Sequence, residues 1–277
     1  MKLLTLNTHS LMEPDYEVKL DAFAAFLLQE RPEIVALQEV NQPVDAPPAK
    51  DMCGMVPAGG VFLKEGNHAL NIVRRLRGAE VPVNWTYLPV KLGYGCFDEG
   101  LALMCLNGRI AKVDVCTISR TDDYHNWRTR KALGVRTDAM PDWFYSVHMG
   151  WWQDGEEPFA RQWAALNGHL ACRKGRTWLM GDFNAPAEIR GQGYDLVAGS
   201  GWQDAYLLAK LRDGSCTVRG AIDGWRSQDV PEGMRIDHIW CSKKANISRC
   251  SVVLDGRCSP VVSDHFGLMA ELEAGNI

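Results

Sequence analysis

The sequence lacks three features that each mark a class of protein: a long apolar run, an excess of positive charge and a CxxC motif. No stretch approaches the ~20 apolar residues of a membrane helix. The opening segment, MKLLTLNTHS, reaches polar residues too early for a signal peptide. The formal net charge is −4 over 277 residues, whereas proteins that grip long nucleic acids usually carry a basic face. The composition therefore disfavours a membrane protein and a protein dedicated to long nucleic acids.

The cysteines show no paired spacing. There are nine of them, an odd number: Cys53, Cys96, Cys105, Cys116, Cys172, Cys216, Cys241, Cys250 and Cys258. Several lie inside apolar runs, which is typical of buried free thiols that act as small hydrophobic side chains. Free thiols persist in a reducing compartment. We therefore expect a cytoplasmic protein.

Hydrophobic periodicity predicts strands and helices in a mixed order. Amphipathic spacing predicts helices over 17–31, 62–78 and 158–175. Short apolar runs predict strands over 2–7, 33–40, 83–90, 100–106, 109–118, 132–140, 142–149, 176–183, 236–242, 248–255 and 266–272. Residues 41–60 and 186–234 are predicted to be irregular, with one short helix near 193–198. No linker or repeat interrupts the chain, so we expect one layered domain over 1–277, with sheets at the centre and helices outside.

Polar residues that can bind or catalyse follow or precede several of these strands. They are Asn7, Glu39, His148, Asp182, Asn184, Asp237, Asp264 and His265. Each alone has an ordinary explanation, since Asn and Asp are common turn residues and a single histidine is often structural. The complete set is hard to attribute to turns. A sheet that brings these strand ends to one edge would assemble a site there.

The segment GDFN, residues 181–184, is the densest of these strand ends. Asp182 and Asn184 are two residues apart, so an extended chain would point both side chains into the cleft and turn Phe183 into the core. Carboxylate and amide oxygens without cysteine ligands suit a hard cation such as Mg²⁺ or Mn²⁺. Glu39 is the best single candidate ligand.

The motifs LNTH, LQE, EGLAL, SVH, GDFN, RIDHIW and SDH, in this order, resemble the signature of the endonuclease/exonuclease/phosphatase family. The resemblance extends from Asn7 to His265. It implies an α+β fold, a four-layer α/β/β/α sandwich of two mixed β-sheets packed face to face with outer helices. It also implies a Mg²⁺- or Mn²⁺-dependent hydrolase of phosphoric esters, in which water attacks phosphorus in line.

The resemblance also implies roles for the polar residues. His265 takes a proton from the attacking water and Asp237 orients it, while Asp182 and Asn184 position that water. His148 donates a hydrogen bond to the phosphoryl group or protonates the leaving group, and Glu99 orients His148. The two histidines could exchange the roles of base and acid. For the metal, Glu39, Asn7 and Asp264 are the candidate ligands, and Asp182 and Asn184 could also complete the site directly or through water.

Within the family, the segments MKLLTLNTHS, DEGLALM and NWRTRKALG look like bacterial sugar-phosphate phosphatases of the maltose 6′-phosphate phosphatase kind. Such an enzyme needs a cation for its phosphate and rings for its sugar. Arg130, Trp151 and His9 are the candidate substrate-binding residues. A solvated basic face is an equally simple reading of Arg130, and Trp151 could equally fill the core or stack on a base.

Three other functions remain open at this point. A nuclease or DNA-repair phosphodiesterase would use the same catalytic residues, although the acidic charge disfavours nucleic acid as a partner. A domain that kept the fold and lost activity conflicts with the complete set of motifs. A lipid phosphodiesterase would need an apolar membrane-facing element, and the Gly- and Pro-containing segment 52–63 is predicted to be a covering loop instead. The sequence does not indicate an oligomeric state.

Overall fold

Two mixed β-sheets form the centre of the computed structural model, which describes residues 1–220, 225 and 233–273. The strands are β1 (Lys2–Asn7), β2 (Ile34–Pro43), β3 (Asn84–Gly93), β4 (Phe97–Cys105), β5 (Ile110–Thr117), β6 (Lys131–Thr137), β7 (Trp143–His148), β8 (Thr177–Asp182), β9 (Gln203–Asp204), β10 (Leu211–Asp213), β11 (Asp237–Cys241), β12 (Ile247–Val253) and β13 (Gly267–Leu272). One sheet has the order β10-β12-β13-β1-β2-β4-β3, and the other has the order β5-β6-β7-β8-β11-β9. Each contains parallel and antiparallel pairs.

Four of the five α-helices of the described residues cover the outer faces of the two sheets. The five are α1 (Tyr16–Glu30), α2 (His68–Gly78), α3 (Phe159–Leu170), α4 (Gly193–Gly199) and α5 (Ala205–Leu208). Helix α5 packs at the edge against the core between the sheets. Alternate residues of β1 show the layering: Leu3 belongs to the core between the sheets, and Leu4 belongs to the core beneath α1 and α2. A third apolar cluster joins α3 and α4 to the second sheet through Trp163 and Leu179. The expected four-layer sandwich is therefore confirmed.

Several predicted boundaries differ from the structure. The helix predicted over 62–78 begins at His68, because the Asn67 side chain caps it by accepting the Leu70 N–H at 3.0 Å. The helix predicted over 158–175 ends at Leu170, and β2 continues to Pro43 into the predicted loop. The short helix predicted near 193–198 is confirmed as α4. Part of the irregular region 186–234 lies outside the described residues.

The cysteines and the helices bear on two of the expectations from the sequence. All nine cysteines are free thiols; five are buried and Cys116 is half-buried, but Cys96, Cys172 and Cys258 are exposed, unlike the expected buried thiols. Among the described residues, no helix has the length and apolar character needed to cross a lipid bilayer.

The strand register brings the polar strand ends together. β7 and β8 run parallel with His148 opposite Asp182, and β11 runs antiparallel to β8 with Asp237 opposite the same Asp182. In the facing sheet, β1 and β2 are also parallel, with Asn7 opposite Gln38, the residue before Glu39. One edge of the sandwich therefore collects side chains from both sheets.

Gly181, the first residue of GDFN, is required by the close approach of β7 and β8. Its φ is +153°, and a Cβ atom there would lie 1.9 Å from the carbonyl oxygen of Val147. We expect Gly181→Ala to lower the free energy of unfolding by about 2–5 kcal/mol, through backbone strain and overpacking. Urea unfolding followed by circular dichroism measures this.

Gly168 provides a control, because the same glycine-to-alanine substitution is expected to change the free energy of unfolding in the opposite direction there. It lies in α3, and no atom is within 4 Å of the Cβ it would gain. Gly168→Ala is expected to raise the free energy of unfolding by about 0.5–1 kcal/mol, because alanine favours a helix interior. If both variants unfolded at the wild-type urea concentration, the steric role of Gly181 would be refuted.

Candidate active site

A cleft at this edge collects the polar strand ends. Its empty volume is about 770 Å³, part of it open to solvent. It is lined by His9, Glu39, Lys91, Leu92, Gly93, Tyr94, Glu99, Trp127, Arg130, His148, Trp151, Asp182, Asn184, Asp264 and His265. Asp237 is fully buried and contacts the cleft through His265. The structure thus brings the sequence-predicted site residues to one place, with Asn7 and Asp237 just behind the cleft wall.

His265 and Asp237 form a buried pair. The Nδ1 atom of His265 lies 2.9 Å from Oδ2 of Asp237, and its Nε2 atom lies 4.0 Å from Oδ2 of Asp182. Burial alone would lower the pKa of His265, but the Asp237 and Asp182 carboxylates raise it to about 10. One ring nitrogen is therefore held by a carboxylate, and the other faces the catalytic aspartate. This is the arrangement of a base with its orienting group.

Asp182 lies at the centre of the cluster. Its Oδ1 accepts a hydrogen bond from the Asn184 backbone N–H at 2.8 Å, and its Oδ2 accepts one from Nδ2 of Asn7 at 3.2 Å. Burial raises the pKa of Asp182 to about 7; His265 opposes this shift and Asp237 adds to it. A carboxylate with neighbours on both sheets is fixed in position, which is what the placement of a reacting water requires.

His148 approaches Asp182 from the neighbouring strand, with Nε2 at 3.5 Å from Oδ2. Burial lowers the pKa of His148 well below its usual value, and the positive charges of Arg130 and Lys91 lower it further. The pKa of His148 is therefore shifted in the opposite direction from the pKa of His265. Without a metal ion, the surroundings favour a charged His265 ring and a neutral His148 ring, and a bound divalent cation would lower the pKa of His265.

Glu39 and Asp264 offer carboxylate oxygens to the cleft, which suit Mg²⁺ or Mn²⁺. Glu39 has a left-handed φ of +50° and accepts Nδ2 of Asn7 at 2.9 Å. Burial raises the pKa of Glu39, and repulsion from Glu99 and Asp264 raises it further. A bound divalent cation would relieve that repulsion between carboxylates. Glu39 and Asp264 therefore suit the metal, whereas Asn7 presents its amide nitrogen and organises Glu39 and Asp182.

Glu99 is expected to orient His148, but in the structure it contacts a different residue. Its carboxylate forms an ion pair with Lys91 at 3.0 Å, on the adjacent strand, instead of orienting His148. The strand register explains this, since Lys91 is directly opposite Glu99 in the β3–β4 pair. Glu99 thus neutralises a buried lysine at the cleft wall.

Asn184 lines the cleft together with Asp182, as expected, but its backbone is not extended. Its φ is +46°, so the chain is not extended from Asp182 onward. Its side chain donates to the Met149 carbonyl at 3.0 Å and accepts Nε1 of Trp225 at 2.9 Å. The side chain therefore joins the segment after His148 to Trp225. Phe183 is fully buried, as expected.

The three predicted substrate-binding residues all line the cleft. Arg130 is 3% exposed, and its guanidinium donates through Nη1 to the Trp127 and Thr129 carbonyls at 2.9 and 3.2 Å. Trp151 lies with its ring 5.9 Å from Cζ of Arg130. His9 pairs through Nδ1 with Glu13 at 2.7 Å. Burial lowers the pKa of His9, but the Glu13 hydrogen bond and nearby carboxylates raise it to about 9.

Lys91 and Tyr94 line the cleft, although no motif or spacing marks them as site residues. Lys91 lies in a strand of mainly apolar residues, where a lysine is expected to reach solvent, yet it is 8% exposed. Tyr94 follows that strand in a Gly-Tyr-Gly turn. A cross-strand search for an acidic partner would have found Lys91.

A buried polar network supports the segment after GDFN. Arg235 donates to Nδ1 of His238 at 2.8 Å and pairs with Asp204 at 2.7 Å. Because Arg235 can only donate, Nε2 of His238 carries the proton and donates to the Ala185 carbonyl at 2.9 Å. Burial lowers the pKa of His238 to about 4, and Arg235 lowers it further. His238 is thus fully buried in this network and does not line the cleft.

Comparison with solved structures supports the fold. An endonuclease/exonuclease/phosphatase family protein from Leptotrichia buccalis C-1013-b is 24% identical, with a TM-score of 0.85 and 99% of each chain covered. A mannosyl-6-phosphatase from Bacteroides thetaiotaomicron VPI-5482 is 16% identical, with a TM-score of 0.68 and 99% of each chain covered. A 3′ phosphatase from Neisseria, bound to a product DNA hairpin, is 19% identical, with a TM-score of 0.64 and 99% of each chain covered.

At these identities the structural likeness establishes the fold, and the sequence establishes the family. No curated protein sequence matches the chain significantly. The Endonuclease/Exonuclease/phosphatase family profile, however, matches residues 4–265, nearly the whole chain. The chain therefore belongs to the endonuclease/exonuclease/phosphatase family, whose members are phosphoesterases that generally depend on a divalent metal ion.

Proposed function

We propose that the protein is a Mg²⁺- or Mn²⁺-dependent phosphomonoesterase that acts on a small sugar phosphate of the maltose 6′-phosphate kind. The small number of lysine and arginine side chains in the cleft that lack an ion-pair partner is the observation that supports this proposal. Among the described residues that line the cleft, there is one lysine, Lys91, and one arginine, Arg130. Lys91 forms an ion pair with Glu99. Arg130 forms no ion pair with a described residue, and its buried Nε atom has no hydrogen-bond partner there. The cleft thus offers one guanidinium, enough for one phosphate group.

The basic residues on either side of Arg130 are already compensated. Arg128 pairs with Asp154 at 2.8 Å, and Lys131 pairs with Asp122 at 2.6 Å. A protein that binds a DNA backbone uses several uncompensated cations to contact successive phosphates. This local neutrality and the net charge of −4 favour a small substrate over a nucleic acid.

His265, Asp237 and Asp182 supply the groups for water attack. Asp237 accepts the proton at Nδ1 of His265. A divalent cation bound beside the ring would lower the raised pKa of His265, so that Nε2 could take a proton from a water placed by Asp182. His148, on the other side of Asp182, then contacts the phosphoryl oxygens or the leaving group. A divalent cation held by Glu39 and Asp264 would stabilise the negative charge of the phosphoryl group. Asn7 keeps Glu39 and Asp182 together through its amide nitrogen.

A nuclease or DNA-repair phosphodiesterase remains the second candidate. The observation that favours it is the Neisseria 3′ phosphatase, which has the same fold and is bound to DNA. The catalytic residues do not separate the two functions, because water attacks phosphorus in both. The two differ in the number of phosphates that the protein contacts, and therefore in the salt dependence of the reaction.

The decisive experiment measures inorganic phosphate released from a panel of sugar phosphates, beside cleavage of labelled duplex DNA. We expect phosphate release with Mg²⁺ or Mn²⁺, its loss with EDTA, and a weak dependence on salt. We also expect Arg130→Met to raise KM, since the variant lacks the guanidinium for the phosphate. DNA cleavage that falls steeply with salt, without release from any sugar phosphate, would replace this function with the second candidate.

A further inference from the structure

Two exposed aromatic rings stand at the catalytic cleft. Among the described residues, the exposed large aromatic side chains are Phe62, Tyr94 and Trp127. Tyr94 is 45% exposed and Trp127 is 47% exposed, and both line the cleft that contains Asp182. Exposed apolar surface that gathers at a polar cleft marks a place where a ligand binds.

Trp127 is held in a fixed orientation. The Arg128 guanidinium lies 4.3 Å from the centre of its ring, and Asp154 holds that guanidinium through two contacts from Nε, at 2.8 and 3.2 Å. The centre of the Trp151 ring lies 5.7 Å from the centre of the Trp127 ring. The Trp127 carbonyl also accepts the Arg130 hydrogen bond. A ring that is positioned before the ligand arrives loses little freedom on binding.

Tyr94 is positioned by its backbone. Its φ is +52°, a left-handed conformation that costs a non-glycine residue about 1–2 kcal/mol. Its ring meets the His9 ring edge-on at 6.2 Å. The loop of Tyr94 is tied to the loop of Trp127 through the Leu92 N–H, which donates to the Tyr124 carbonyl at 2.8 Å. The two exposed rings therefore belong to two connected loops at one cleft.

We propose that Tyr94, Trp127 and Trp151 form a second subsite, which binds the non-phosphorylated ring of a phosphorylated disaccharide. This inference rests on the proposed function. The phosphorylated ring lies between Arg130 and the catalytic histidines, and the second ring lies against the indole of Trp127. Aromatic faces pack well against the C–H faces of a pyranose, and both exposed rings line the same cleft as Arg130 and the two histidines.

The test compares kcat and KM for maltose 6′-phosphate and glucose 6-phosphate in the presence of Mg²⁺. For the wild type, we expect kcat/KM for the disaccharide phosphate to be about tenfold the value for the monosaccharide phosphate. Trp127→Ala should remove most of this preference by raising KM for the disaccharide phosphate, and should leave the monosaccharide phosphate unchanged. Trp127→Phe should keep most of the preference.

Phe62→Ala is the matched control, because Phe62 is 79% exposed and does not line this cleft; it should alter neither substrate. Equal kcat/KM for the two substrates, or an equal loss for both in Trp127→Ala, would refute the subsite. Trp127→Ala that slowed only the hydrolysis of a 3′-phosphorylated oligonucleotide would assign the rings to base stacking instead. If the wild type released phosphate from neither sugar phosphate, the proposed function itself would fail.

Discussion

Replacement of His265 with alanine is expected to lower kcat for phosphate release by about 10²–10⁴-fold, with a smaller change in KM. The reason is the geometry of the ring: Asp237 holds Nδ1 at 2.9 Å, and Nε2 is 4.0 Å from Asp182. Alanine removes both contacts and the group that accepts the proton of water. Initial rates of phosphate release, measured on the best sugar phosphate of the panel, test this.

Two further variants make the result specific. His125→Ala removes an exposed histidine outside the cleft lining and should leave kcat unchanged. Asp237→Asn preserves the size of the buried side chain but removes the charge that orients His265, so it should lower kcat in the same direction. Circular dichroism and thermal unfolding establish that each variant is folded. A folded His265→Ala enzyme with wild-type kcat would exclude His265 from the reaction.

The layers and the location of the site follow from local sequence patterns. The run LMGDFN changes from apolar to polar where β8 ends at Asp182, and the same change occurs at Asn7 and His148. Ends of this kind meet at one edge because β1 and β2, and β7 and β8, are parallel pairs. Hydrophobic runs therefore predict the strands, and the order of the motifs predicts which strand ends meet.

The contacts of Glu99 and Asn184 depend on features that local patterns do not contain. Glu99 faces Lys91 because of the β3–β4 register, and that register shifts between Pro89 and Lys91. A one-residue shift moves side chains to the opposite face of a strand, so spacing alone could not assign this pair. Asn184 has a positive φ and binds Trp225 from a segment without regular periodicity. Long-range packing determines both.

Arg235→Met is expected to lower the free energy of unfolding by about 3–5 kcal/mol. The Arg235 and Asp204 side chains are 4% and 1% exposed, and they pair at 2.7 Å. The substitution leaves the Asp204 carboxylate buried without its counter-charge. It also removes the donor to Nδ1 of His238. Urea unfolding measures the loss. Arg190→Met, which removes an ion pair with Asp195 from an arginine that is 73% exposed, should change stability by less than about 1 kcal/mol.

The double variant separates the buried charge from the loss of packing. Asp204→Asn removes the charge but keeps an oxygen for the Tyr206 N–H that Asp204 caps. Combined with Arg235→Met, it should therefore cost less stability than the sum of the single substitutions. Strict additivity would contradict a direct interaction. The network also reaches the active site, because His238 holds the Ala185 carbonyl, one residue after Asn184. At temperatures where Arg235→Met is fully folded, its kcat should consequently remain below that of the wild type, whereas Arg190→Met should retain the wild-type value.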